Sequence, residues 1–363
     1  MAAVRRACLA GALLLVLAAP ASGTRSVPPG LSARQLAGER VIAAYRGLAP
    51  PGYLLGMIRA GEVAGVIFFH DNIASRSQLR AVTHTLQAAA DASPVKKSLL
   101  LMTDQEGGPT RGVSGPPLLS EKQIGLSRAP VAAAGQAGHG AGTNLRAVGL
   151  DVNLAPVLDV YRSPGNFIDG DQRSYSSSPS AVARLGTAFI SAQQQAGVAA
   201  TAKHFPGLGP ATFTQNTDRR PVTLGVSLST LRTVDERPYP AAIAAGVRLV
   251  MVSWATYPAL DPTRPAGLSS RVIRGELRGR LGFAGVTISD SLDSRSLTRY
   301  GTVGNRAVLA GRAGIDLVLC TGSDDEGAVV NALAAAQARG EISEQAARAA
   351  AARVLALRSS LIP

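Results

Sequence analysis

Three short stretches hold the residue types that chemistry needs. In Thr201-Ala202-Lys203-His204-Phe205-Pro206-Gly207, an ammonium and an imidazole close an apolar run, Gly197-Val198-Ala199-Ala200, just before a Pro-Gly turn. Polar groups at the carboxyl end of a buried strand are where α/β enzymes build their sites. Adjacent strand side chains point to opposite faces, so Lys203 and His204 share a pocket only if the strand frays at that turn. A satisfied core histidine beside a surface lysine fits the same residues. The second stretch, Asp104-Gln105-Glu106-Gly107-Gly108, follows the apolar Leu99-Leu100-Leu101-Met102. Two carboxylates beside a flexible glycine pair suit hydrogen bonding to vicinal hydroxyls, and Arg111 is close enough to add a charged donor. An acidic loop cap, with Glu106 on a nearby arginine, is the alternative. The third, Gly285-Val286-Thr287-Ile288-Ser289-Asp290, puts a carboxylate at the tip of an apolar run. Such a group can attack an electron-poor carbon and leave again, as the nucleophile of a retaining glycoside hydrolysis must. Nearby cations such as Lys203 would keep it ionised. Asp290 equally fits the N-cap of a following helix.

Positioning these groups falls to a chain of alternating elements. Apolar runs that read as strands occur at 41–45, 65–69, 98–103, 150–154, 198–204, 248–253, 286–289 and 315–319. Ala-rich helical stretches, such as 180–195 and 328–339, lie between them, and an Ala/Arg-rich amphipathic helix is expected over 344–361. This alternation predicts a single-domain (β/α)8 barrel over residues 24–363, with a doubly wound open sheet as the other arrangement. His70-Asp71, Asp104, Asn153, Lys203-His204 and Asp290 all fall at strand ends. In a barrel those ends meet at one rim, so residues far apart in sequence converge on one pocket.

Composition narrows the function classes. Residues 1–23 have the charged, apolar, small-residue order of an export signal: Arg5-Arg6, then Leu9 to Ala19, then Ala21-Ser22-Gly23. Its apolar core is too short for a comfortable membrane span, and no later run is longer, so stable membrane insertion is not expected. Cys320 is then the only cysteine of the mature chain, which leaves no partner for an intramolecular disulfide. The formal charge is +13, or +11 without Arg5 and Arg6. Only four of the 37 basic residues are lysines, so 33 are arginines. They are scattered and not interleaved with aromatics, unlike a nucleic-acid surface. Compositional bias accounts for them, with a weak attraction to anionic envelope polymers as the functional reading. The four histidines (His70, His84, His139, His204) show no paired metal-ligand spacing. No glycine-rich phosphate loop follows a strand. Neither a metal nor a nucleotide cofactor is expected.

Taken together, the chain resembles the single-domain β-N-acetylhexosaminidases of glycoside hydrolase family 3. The resemblance rests on Asp104-Gln105-Glu106-Gly107-Gly108, Leu154-Ala155-Pro156-Val157-Leu158-Asp159, Arg173-Ser174-Tyr175, Lys203-His204-Phe205-Pro206-Gly207, Val250-Met251-Val252-Ser253 and Ser289-Asp290, in the family's order. It implies a (β/α)8 barrel and a retaining mechanism without metal or organic cofactor. By the same resemblance Asp290 is the nucleophile, and Asp104, Arg173, Lys203 and His204 are ligands of the sugar at the cleavage point. Arg111 is a further ligand, in a loop one residue shorter than usual. Two departures stand out. The mobile loop after the Lys-His motif usually carries an Asp-x-His pair, but here reads Thr212-Phe213-Thr214-Gln215-Asn216-Thr217-Asp218-Arg219-Arg220. Asparagine cannot shuttle a proton, so Asp218, the loop's only acid, is nominated as acid/base. Trp254 stands where the family often has histidine, and is expected to pack a ring on the sugar face or the barrel rim. The implied activity is that of an exported exo-β-N-acetylglucosaminidase acting on cell-wall or related amino sugars. A catalytically weakened carbohydrate-binding barrel is the alternative that Asn216 motivates. A β-glucosidase, or a phosphorylase holding phosphate at Arg219-Arg220, remains open at this point.

Overall fold

The computed structural model describes residues 30–322 and 325–361, so the expected export signal lies outside the described residues. Eight parallel strands close into a barrel. They are β1 (Val41–Ala43), β2 (Gly65–Ile67), β3 (Leu100–Thr103), β4 (Val152–Asn153), β5 (Ala199–Phe205), β6 (Leu249–Val252), β7 (Val286–Ser291) and β8 (Leu317–Leu319). Each falls within or against one of the eight apolar runs. Pairing of β1 with β8, Val41 beside Val318 and Ile42 beside Leu319, shuts the ring and excludes the doubly wound alternative.

Period-two alternation sorts the strand residues. Ile42, Ile67, Leu100, Met102, Val152, Leu249, Met251, Val286, Ile288, Leu317 and Leu319 fill the barrel interior as one cluster. Their neighbours Val41, Ala200, Val250 and Val318 point outward into the helix layer. Extending the same alternation by one step past Met102 and Ile288 brings Asp104 and Asp290 inward at the carboxyl mouth. Lys203 stands in the same relation to Ala199, four residues earlier on β5. The site residues are thus the top of the stack that fills the barrel.

Helices form the outer layer. Pro179–Gln195 starts from the Ser178 side chain, which accepts the Ala181 N–H, and ends at the expected residue. It packs on Pro130–Arg146 so closely that a Cβ at Gly138 would stand 2.2 Å from the Phe189 carbonyl oxygen. The last helix, Glu344–Ser360, turns Val354 and Leu357 into the interior cluster and so floors the barrel. Its Arg358 is buried on Glu39 at 2.6 Å and donates to the carbonyls of Lys97 and Ser98.

Candidate active site

A cavity of about 770 Å³ opens at the carboxyl ends of the strands, and Asp104, Arg173, Lys203, His204, Asp218 and Asp290 all line it. They derive from five separate parts of the chain, and the β3, β5 and β7 ends supply four of them. Its walls are completed by Ile67, Phe69, Leu154, Met251 and Leu319, which give it an apolar lower shelf.

The polar network begins at Lys203, whose Nζ lies 2.6 Å from Asp104 Oδ1 and 2.7 Å from Glu106 Oε1. Glu106 in turn accepts a two-pronged pair from Arg173, Nε at 2.9 Å and Nη2 at 2.8 Å. Such a bidentate contact fixes the guanidinium plane as well as its position. Burial works against a charged Glu106, but Arg173 and Lys203 outweigh it and hold its carboxyl down at about 2. Burial likewise opposes the Lys203 ammonium, yet Asp104 and Glu106 prevail and raise its pKa. Both cations are therefore fixed charges. Asp104, with about a third of its side chain exposed, keeps its other oxygen toward the cavity.

Glu106 itself is fully buried and does not line the cavity. Of the two carboxylates expected to meet sugar hydroxyls, one does face the opening and the other holds the cations that do. Gly107 and Gly108, at φ +122° and +54°, make the tight turn of the hairpin Gln105–Gly107 with Thr110–Arg111. The glycine pair is a geometric requirement there, since a Cβ on Gly107 would lie 2.2 Å from the Leu119 carbonyl oxygen. Arg111 does not join the cavity. Its Nε donates to the Gly108 carbonyl at 2.7 Å and its Nη1 to that of Gly115 at 3.1 Å, so it braces the hairpin.

His204 shares the cavity with Lys203, though not by fraying. The strand runs on to Phe205, the Lys203–His204 peptide is cis, and the register against β6 shifts between Ala202 and Phe205. Asp159 anchors the ring: its Oδ2 is 2.7 Å from His204 Nδ1, and its Oδ1 accepts the N–H groups of His204 and Leu208 at 3.3 and 2.6 Å. A guanidinium only donates, and Arg173 Nη2 stands 3.4 Å from Nε2. The ring therefore carries its proton on Nδ1, toward Asp159. Asp159 closes the Leu154 to Asp159 motif, but nothing in its spacing marked it as the histidine's partner. Glu121, also unforeseen, accepts the Val157 N–H at 2.8 Å behind the network. Burial and the Glu106 charge push its pKa well above the ordinary carboxylate range.

Asp290 sits at the mouth with Oδ1 accepting the Ser291 N–H at 2.7 Å. Cations such as Lys203 favour its ionised form, as expected, but they are not the largest influence on it. Burial and the charge of Asp218 raise its pKa, and His204, the Ser291 N–H and Lys203 only partly offset them. Lys203 is already engaged by Asp104 and Glu106. Asp218 lines the same cavity from an exposed loop, where it accepts a long contact from Ser294 Oγ at 3.3 Å. Asn216 accepts the Asp218 N–H at 2.7 Å and so shapes the turn that presents the acid. Asn216, Arg219 and Arg220 line a neighbouring cavity of about 420 Å³ together with Phe213, not the one that holds Asp290.

Of the other strand-end residues, Asn153 is buried, bonding Gln105 and Gln193, and His70-Asp71 lie outside the cavity. Trp254 is also buried and does not line the cavity. Its Nε1 donates to the Ser291 carbonyl at 2.7 Å, one residue from Asp290, so it belongs to the rim. Among the described residues no group of three histidine, cysteine, aspartate or glutamate side chains could hold a metal ion.

The Glycosyl hydrolase family 3 N terminal domain model matches residues 53–357. The chain belongs to glycoside hydrolase family 3. An uncharacterized secreted glycosyl hydrolase of Arthroderma benhamiae is 44% identical over 329 residues, covering 90% of this chain and 93% of its own. A beta-hexosaminidase of Xanthomonas oryzae pv. oryzae is 37% identical over 264 residues, covering 71% of this chain and 76% of its own. Among solved structures, a family 3 beta-N-acetylglucosaminidase from Paenibacillus superposes with a TM-score of 0.86 at 36% identity. That match covers 91% of this chain, which spans only 62% of the Paenibacillus protein. The beta-N-acetylhexosaminidase of Beutenbergia cavernae superposes with a TM-score of 0.82 at 31% identity, covering 91% of this chain and 99% of its own. The family's chemistry, cleavage of glycosidic bonds, makes this protein a glycoside hydrolase, and the (β/α)8 barrel expected from the alternating elements is the fold it shares with these relatives.

Proposed function

We propose that this family 3 protein is an exported, retaining exo-β-N-acetylglucosaminidase acting on cell-wall or related amino sugars. The observation that carries the reading is the gathering of Asp104, Arg173, Lys203, His204, Asp218 and Asp290 around one sugar-sized cavity. Hexosaminidase relatives at 37% identity support the choice of sugar. The order of residues 1–23 and the secreted relative support export. No helix among the described residues is long and apolar enough to cross a membrane.

In this reading Asp104, Lys203, Arg173 and His204 grip the hydroxyls of the terminal sugar. The Asp290 carboxylate attacks the anomeric carbon as the glycosidic bond breaks, and Asp218 gives its proton to the departing oxygen. Water then attacks the glycosyl-enzyme, Asp218 takes the proton back, and the sugar leaves with its configuration retained. Phosphorolysis is disfavoured, because Arg219 and Arg220 line the adjacent cavity.

The test is an aryl β-N-acetylglucosaminide assayed with the purified mature chain, with and without phosphate, while proton NMR follows the anomer released. Release of the β-anomer at a phosphate-independent rate, abolished in Asp290→Ala, is the expected result. An uncleaved substrate, or an unaffected Asp290→Ala variant, would overturn it.

A further inference from the structure

The amino end of the barrel, opposite the catalytic cavity, holds a second concave site. Arg40 immediately precedes β1 and Asp316 immediately precedes β8, and a cavity of about 300 Å³ lies against both. Arg274, Arg278 and Arg353 complete its charged lining, so four guanidinium groups surround a single carboxylate. That carboxylate is already committed. Asp316 Oδ2 accepts from Arg278 at 2.6 Å and from Thr287, while Oδ1 accepts from Arg353 at 2.7 Å. Among the described residues Arg40 and Arg274 therefore have no counter-charge of their own. Arg274 Nη2 donates to the Arg312 carbonyl at 3.0 Å, and Arg40 donates from Nη2 to the Ile315 carbonyl at 2.6 Å and from Nε to the Asp316 carbonyl at 3.4 Å.

Arg40 is 1% exposed, and its Nη1 is buried without an acceptor among the described residues. Leaving a charged donor so placed is costly, since burial removes water without supplying a partner. Burial lowers its pKa to about 10, Asp316 opposes that, and the nearby Arg353 and Arg274 charges add to it. The backbone is cut to fit: a Cβ on Gly311 would stand 3.0 Å from Arg40 Nη2 and 3.3 Å from Nη1. Ser343 and Gln345 add neutral polar groups at the edge.

We infer that this cavity is a binding site for a tetrahedral oxyanion, a phosphate or sulfate group either free or carried as an ester. Planar guanidinium forks match such oxygens two at a time, and a dianion neutralises an excess of cations that a single carboxylate leaves. The ligand would tie β1, β8, the helix Arg271–Arg280 and the flooring helix together, and it stabilises the folded chain by binding it alone.

The experiment measures thermal unfolding and calorimetric binding of the full mature protein in inorganic phosphate, in sulfate and in glycerol phosphate, each against chloride at equal ionic strength. Arg274→Gln is the variant of choice, because Arg274 is exposed and outside the catalytic network, and glycosidase activity serves as the folding control. The midpoint is expected to rise by about 2–4 °C in saturating oxyanion. In Arg274→Gln the affinity should fall about tenfold or more, while stability in chloride is unchanged or improved. A response to phosphate and sulfate alike identifies a free oxyanion, and one confined to glycerol phosphate identifies an esterified group. No shift over chloride in any arm, or an equal shift in wild type and Arg274→Gln, would overturn the inference.

Discussion

Replacing Glu106 by glutamine removes one negative charge from the buried meeting point of Arg173 and Lys203 while keeping the shape of the side chain. Arg173 and Lys203 are then left with Asp104, which touches Lys203 alone. The amide nitrogen must also face a donor, since both partners only donate. Breaking a buried pair in this way costs about 3–5 kcal/mol. The depressed pKa gives an independent figure. A carboxyl at about 2 in the folded chain, against an ordinary value near 4.5, corresponds to about 3 kcal/mol. That contribution is complete above the unfolded value and is lost as pH falls toward about 2. Urea unfolding of wild type and Glu106→Gln, at pH 7 and in steps down to pH 2.5, reads the difference, because titrating groups that Glu106 does not influence cancel; Glu121, whose pKa the Glu106 charge raises, is the exception. The variant should be about 3–5 kcal/mol less stable at pH 7, and the gap should narrow steadily below pH 4.5. A gap under about 1 kcal/mol at pH 7, or one that does not change with pH, would refute the idea that Glu106 is the charged hub of the site.

Asp218→Asn should lower kcat by about 10²–10⁴-fold on substrates with poor leaving groups. It should also move the acid limb of the kcat/KM profile to lower pH, since the charge that raises Asp290 is gone; a limb that stays put would separate the two carboxylates. Asp159→Asn trades the charge-assisted bond to His204 for an amide that favours the wrong ring tautomer, and kcat/KM on the aryl glycoside should fall by about 10–100-fold. Trp254→Phe leaves the Ser291 carbonyl without its donor, so thermal scanning should show about 1–3 kcal/mol of lost stability, with kcat reduced more than KM changes. Gly138→Ala drives a methyl against the Phe189 carbonyl and should cost about 1–3 kcal/mol by denaturant titration, with kcat unaltered.

The barrel was legible because each strand is a short apolar run ended by a polar residue, and because a period of two carries Met102 to Asp104 and Ile288 to Asp290. Residues that obey that alternation were placed correctly from sequence. His204 departs from it, through a backbone geometry that no residue type announces. Burial of Glu106 was equally hidden, since an acid beside two glycines reads as a surface loop until the hairpin folds it under Arg173. Arg111 looked available for a ligand because proximity in sequence says nothing of the carbonyls at Gly108 and Gly115 that occupy it. Asp159 escaped for a different reason: its histidine lies 45 positions away, and only the parallel pairing that sets Val157 beside Lys203 joins them.

Closure of the barrel itself must wait for the last strand, β8. The seam unites Val41 with Val318, and Glu39 with Arg358 across 319 positions. Contacts that distant are slow to form, because the intervening chain must be gathered first. A polypeptide emerging from the ribosome would thus expose an unsealed sheet until nearly all of it had been made. If the chain is exported, as proposed above, this order of events is favourable: it would stay threadable while being handed to the membrane, and the pocket would be assembled only on the far side.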